Sequence, residues 1–153
     1  MFTSNTFIMN SNPLRTIFYT IERAIKEYRK YAQKNISKQI DDITLDQALV
    51  LMILKENSSL SQKEMSEFLF KDYASMTRMI ELMVKKKYLK RSQNKKDKRR
   101  SILTITKKGE DAIKILIPTI KINRINALEG ITDLEIKQLN KILKKIISNC
   151  NKD

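Results

Sequence analysis

SQKEMSEFLFKDYASMTRMIELMVKKKYLKRSQNKKDKRRSILTIT, residues 61–106, decides the fold. It divides into a short helix (61–70), a second helix (72–87), a strand (88–93), a charged turn (94–100) and a second strand (101–106). Ser61 and Glu64 have the spacing of a capping box, in which each side chain closes a backbone N–H left open at a helix start. Asp72 suits the N-cap of the next helix. Met76, Met79, Ile80, Met83 and Val84 then recur on one stripe of it. The opposite face carries Ala74, Arg78, Glu81 and Lys85, with Thr77 beside it. Two helices joined by a three-residue turn, then a hairpin with alternating Leu103 and Ile105, describe a winged helix-turn-helix.

Charge is concentrated in the same place. Between Lys85 and Lys108 there are twelve Lys or Arg and one acid, Asp97, so eleven of the chain's net fourteen positive charges lie there. An AT-rich coding bias would raise lysine, asparagine and isoleucine throughout, but would not cluster them. A pI near 9.9 points to a polyanionic partner, nucleic acid before an anionic membrane surface. A helix start offering Tyr73, Ala74, Ser75, Thr77 and Arg78, followed by a basic exit at Lys85, suits phosphates and base edges. Taken alone, the same residues also describe an ordinary solvated face.

Outward from this centre the chain is helical. Leu14, Ile17, Phe18, Ile21, Ile25 and Tyr28 predict a long amphipathic helix from Asn12 or Pro13 to about Lys34, with Pro13 in its first turn. Thr44 or Asp46 caps a second helix whose middle, ALVLMIL, is apolar on every side and must therefore be enclosed. Beyond the hairpin, Thr106 caps a long helix with Ala112, Ile113, Leu116, Ile117, Ile120, Ile125 and Leu128 as its apolar set. Pro118 should kink that helix, and Gly130 ends it. Thr132 and Glu135 form another capping box, opening a helix striped with Leu139, Ile142, Leu143, Ile146, Ile147 and Cys150. The terminal helices carry more apolar surface than one small core covers, which predicts a homodimer through the chain ends.

Composition removes other classes. At 153 residues and 41% hydrophobic the chain fits one domain with a real core. One cysteine excludes an intramolecular disulfide. The absence of histidine removes the usual zinc sites and nucleophile–base pairs, so neither an enzyme nor a metal or cofactor site is expected. The start lacks a signal-peptide pattern and no run approaches a membrane span, giving a cytoplasmic expectation and no membrane partner.

The run from Leu60 to Gly109 resembles the core of the MarR family of bacterial transcriptional regulators. The likeness is carried by the S-Q-K-E helix start, the pair Thr77–Arg78, the Y-L-K-R strand, the D-K-R at the hairpin tip and the closing L-T-I-T-K-K-G. Phe70-Lys71 stands where many relatives carry a glycine or small residue. The resemblance implies a mainly α fold with a small β-hairpin wing. It divides the chain into an N-terminal arm and dimerisation helix (1–40), a winged helix-turn-helix DNA-binding domain (41–108) and C-terminal dimerisation helices (109–153).

It further implies a homodimeric regulator, by default a repressor, on a palindromic double-stranded operator. The helix from Asp72 would lie in the major groove. Arg99 would enter the adjacent minor groove with Asp97 orienting it, and Lys95, Lys96, Lys98 and Arg100 would stand around it. A narrow A·T-rich minor groove attracts a guanidinium independently of any family name, although Asp97 also reads as an acid relieving repulsion among its cationic neighbours.

Release by a small apolar or phenolic anion is also implied, with Arg15, Tyr19, Tyr28 and Met52 as candidate cleft residues. The same four read first as plain core and interface residues. Some relatives sense peroxide through a thiol near the N-terminal helix, whereas Cys150 continues an apolar stripe and reads as filler. Two rival functions are a basic RNA-binding module, which would want aromatics for stacking, and a winged-helix antirepressor that binds protein.

Overall fold

The computed structural model describes residues 12–93 and 101–152. Asn12 caps a 3-10 turn, Pro13–Arg15, and α1 follows as Ile17–Ser37. The single helix expected from Pro13 is thus two elements. Thr16 is extended, and its hydroxyl accepts from the Tyr19 N–H at 3.3 Å, so a second cap resets the start. The helix also runs three residues beyond Lys34.

α2 (Leu45–Glu56) is closed by a capping box of Thr44 and Gln47, which settles the choice between Thr44 and Asp46. Val50 and Leu51 are wholly buried, and the enclosed position predicted for this helix holds. α3 (Gln62–Phe68) has the Ser61–Glu64 box, and α4 (Tyr73–Lys85) is capped by Asp72. β1 (Leu89–Gln93) pairs antiparallel with β2 (Ser101–Ile105), Leu89 opposite Ile105 and Arg91 opposite Leu103. α5 (Lys107–Ala127) runs through Pro118, and α6 (Asp133–Cys150) opens on the Thr132–Glu135 box.

The core gathers around α2. It takes Ala32 and Ile36 from α1, Met65 from α3, Met76, Ile80 and Met83 from α4, and Ala112, Ile113, Leu116 and Ile120 from α5. Burying a Met, Leu or Ile side chain fully contributes roughly 1.5–3 kcal/mol, so Met76, Ile80 and Met83 together contribute several kcal/mol toward holding α4 on the core. Phe68 lies on the solvent side of α3. It is exposed, because the buried side of this short helix is made by Met65 and Ser66.

Two compact units are distinguished, Met1–Asn123 and Arg124–Asp153. In the second, no residue of α6 is buried, and Leu134, Leu139, Ile142 and Ile147 are all exposed. In the first, Leu14 of the 3-10 turn and Ile17, Phe18 and Ile25 of α1 are exposed.

Candidate nucleic-acid interface

The start of α4 is built tightly. Asp72 accepts from the Ser75 N–H at 2.8 Å and from its hydroxyl at 2.7 Å. Those bonds, the hydroxyl's first, hold the Asp72 carboxyl below the usual carboxylate range. Ser75 is thereby engaged in the cap. Thr77 donates to the Tyr73 carbonyl at 2.8 Å and accepts from Gln62 Nε2, while Arg91 donates to Gln62 Oε1 at 3.3 Å. Gln62 therefore ties α3, α4 and β1 together. Sequence reading missed it because the three groups are far apart in the chain.

Tyr73, Ala74, Arg78 and Lys85 are exposed, opposite the buried Met76, Ile80 and Met83. Lys85 is the last residue of α4, and at 1.5 Å per residue it stands about 18 Å along the axis from Tyr73.

The turn into α4 has its own anchor. Phe70 adopts φ 52° and is 97% exposed, while the next residue, Lys71, puts its ammonium 2.7 Å from Asp46. Asp46 also pairs with Arg29 of α1. Burial pushes the Asp46 carboxyl up, but the hydrogen bonds and charges of Lys71 and Arg29 outweigh it and leave it below the usual range. The glycine-poor turn is thus held by a carboxylate clamp.

At the hairpin root, Asp42 accepts from the Tyr88 hydroxyl, and its carbonyl accepts from Lys86. The Lys108 ammonium lies 3.5 Å from the Asp42 carboxylate and 4.1 Å from the Tyr88 ring centre. The Tyr88 hydrogen bond leads in lowering the Asp42 carboxyl, with burial opposing it and Lys108 and Lys86 assisting. Burial, reinforced by Asp42, pushes the Tyr88 phenol well up. Lys86 and Lys108 thus have structural partners, and Lys107 bridges Asp111 at 3.1 Å. Lys85, Lys87, Lys90 and Arg91 are exposed. Lys95, Lys96, Asp97, Lys98, Arg99 and Arg100 lie outside the described residues.

Gly109 explains one part of the L-T-I-T-K-K-G run. A Cβ there would lie 2.4 Å from the Tyr88 carbonyl oxygen and 2.7 Å from Ile105 Cγ2, so the start of α5 meets the hairpin root only without a side chain.

Of the candidate effector residues, Tyr28 and Met52 pack against the core, while Arg15 and Tyr19 are exposed. No hydrogen bond or ion pair among the described residues joins any two of the four. Cys150 is exposed at the end of α6, not enclosed as filler within the chain. Among the described residues no group of His, Cys, Asp or Glu could hold a metal ion, and no helix is long and apolar enough to cross a membrane.

The family model described as MarR family matches residues 43–101, from the loop before α2 to the start of β2. The HTH-type transcriptional regulator SarZ of Staphylococcus aureus strain USA300 is 26% identical over 149 residues, covering 97% of this chain and 94% of SarZ. Over residues 43–101 the chain is similar to the MarR family. Members are DNA-binding transcription regulators and not enzymes.

The fold is that of solved structures. A mutant MarR from E. coli complexed with operator DNA superposes with a TM-score of 0.78 at 22% identity, covering 95% of this chain and 99% of that one. BpsR of Bordetella bronchiseptica, whose DNA binding is regulated by 6-hydroxynicotinic acid, gives 0.80 at 19% identity, covering 94% and 99%.

Proposed function

We propose that this chain is a MarR-type regulator that binds a double-stranded, palindromic operator as a homodimer and represses transcription until a small anionic effector releases it. The observation that carries the reading is the two-sided character of α4. Met76, Ile80 and Met83 seat one face in the core, and the other exposes Ala74, Arg78 and Lys85 from a start fixed by Asp72 and Gln62. A helix anchored so can enter a major groove without losing its packing. Tyr73, Ala74, Thr77 and Arg78 face base edges, and Lys85 meets the flanking backbone. Arg99, with Asp97, takes the adjacent minor groove, and Lys95, Lys96, Lys98 and Arg100 take phosphates.

The exposed apolar stripes of α6 and of the start of α1 support the second copy, since patches of that kind mark interfaces. Two recognition helices then demand half-sites about 10 bp apart. The effector class is carried over from the small aromatic acid that regulates BpsR, with Arg15, Tyr19, Tyr28 and Met52 as lining residues completed by the dimer. A mobility-shift titration of Arg78→Ala on the DNA beside the chain's own gene tests the reading. A loss of about 1–3 kcal/mol in affinity with relaxed sequence preference is expected, and unchanged affinity and preference would refute it.

A further inference from the structure

Arg29 and Gln33, one helical turn apart on α1, both hold the start of α2. Gln33 Oε1 accepts from the Leu45 N–H at 2.7 Å, and Arg29 bonds one oxygen of the Asp46 carboxylate. The Leu45 N–H is among those that a helix leaves open at its start, so α1 closes it. The other Asp46 oxygen takes the Lys71 ammonium at 2.7 Å. All three charged side chains are half-buried, where solvent screens ion pairs less than at the surface.

Lys71 is placed to pass a displacement on. Its own N–H bonds the Ser66 carbonyl at 2.9 Å, closing α3, and the next residue is Asp72, the cap of α4. Phe70 before it holds a left-handed φ of 52°, which a non-glycine residue does not favour by itself. The turn is therefore helped by a grip from outside, and the Lys71–Asp46 pair supplies one. Direct contacts thus run from α1, through the first turn of α2, to the residue before the cap of the recognition helix.

We infer that Arg29 is a positioning residue for α4: it fixes the way the Asp46 carboxylate faces Lys71, so that a shift of α1 moves the entry of the recognition helix. Exposed apolar residues at the start of α1 are those assigned above to the second copy, so the path links the contact between copies to the reading of DNA. That link rests on the operator reading, whereas the positioning does not and can be measured without DNA. Charge alone predicts the opposite sign. Arg29 and Lys71 repel each other and share one carboxylate, so removing Arg29 would by electrostatics tighten Lys71 on Asp46, whereas loss of positioning loosens the turn.

The test is hydrogen exchange of the full chain, read by mass spectrometry, with substitutions to Met that keep an unbranched stem and remove the charge. In Arg29→Met, exchange across residues 69–78 should rise about fivefold, while exchange across residues 112–120 in the core part of α5 stays within about twofold of the parent. Lys71→Met should loosen residues 69–78 similarly, and adding Arg29→Met to it should add nothing further, because groups acting through one contact are not additive. Lys55→Met, which removes an ion pair at the other end of α2, should leave residues 69–78 as in the parent. Unchanged or slower exchange in Arg29→Met, an equal rise in both segments, or additive effects of Arg29→Met and Lys71→Met would overturn the inference. In a second arm, Arg29→Met should lose more affinity for the DNA beside the chain's own gene than for a random-sequence duplex, and equal losses would overturn the link to DNA reading. A parent that does not prefer the flanking DNA would instead refute the operator reading, with the exchange result still deciding the positioning.

Discussion

Phe70→Gly should stabilise the protein, although it deletes an aromatic side chain. Phe70 sits at φ 52° and is 97% exposed, so it has almost no packing to lose and a left-handed backbone to hold. A non-glycine residue in that region costs about 1–2 kcal/mol. Glycine removes the cost but gives the unfolded chain more freedom, worth roughly 0.5–1 kcal/mol against folding. The net gain is about 0–1.5 kcal/mol, centred near 0.75, or roughly 2–3 °C in melting temperature at that centre for a chain of this length. Phe70→Ala retains a Cβ and is the control, expected to stay within about 0.5 kcal/mol of the parent. Urea melts followed by circular dichroism, at one protein concentration, measure all three. The Lys71–Asp46 contact and the Asp72 cap are untouched, so operator affinity should not change. If glycine lowers stability, or alanine matches its gain, the backbone-strain reasoning is wrong.

Three further perturbations have definite signs. Gly109→Ala drives a methyl against the Tyr88 carbonyl and should cost about 1–3 kcal/mol, read as a lowered urea midpoint; an unchanged midpoint would show that α5 and the hairpin root do not meet so closely. Asp46→Asn breaks the clamp on Lys71 and Arg29 and should cost about 1.5–3 kcal/mol at neutral pH. Because the native Asp46 carboxyl lies below its ordinary value, that contribution is complete above about pH 4 and disappears as pH falls through the native pKa. Parent and variant stabilities should therefore converge in acid, and a difference that persists at low pH would mean Asp46 acts through something other than its charge. Ile142→Glu on the exposed stripe of α6 should turn a dimer into a folded monomer by sedimentation; a monomeric parent would remove the basis for two half-sites.

Much of this architecture is legible locally, because local chemistry builds it. The boxes at Ser61–Glu64 and Thr132–Glu135 and the Asp72 cap are three-residue signals, and each marks a helix start correctly. The stripe Met76, Ile80 and Met83 fixes which face of α4 remains outside. Periodicity misses the start of α1, since the apolar repeat passes through Thr16 while the backbone there is extended. It also cannot tell that Phe68 and Phe70 face solvent, because a seven-residue helix has little face to average over.

The larger gap concerns pairs distant in sequence. Asp42 with Tyr88 and Lys108, Asp46 with Lys71, and Gln62 with Thr77 and Arg91 decide which cations are engaged and how α4 is aimed. No local pattern records them. Counting charge between Lys85 and Lys108 therefore overstates what faces a duplex, since Lys86, Lys107 and Lys108 are held by the protein itself.

The most direct measurement is a methylation-protection footprint on the DNA flanking the chain's own gene, since guanine N7 lies in the major groove. Protection of guanines in two successive major grooves about 10 bp apart, lost on substituting Arg78, is the predicted result. Protection confined to the minor groove, or a pattern indifferent to Arg78, would contradict a recognition helix at α4.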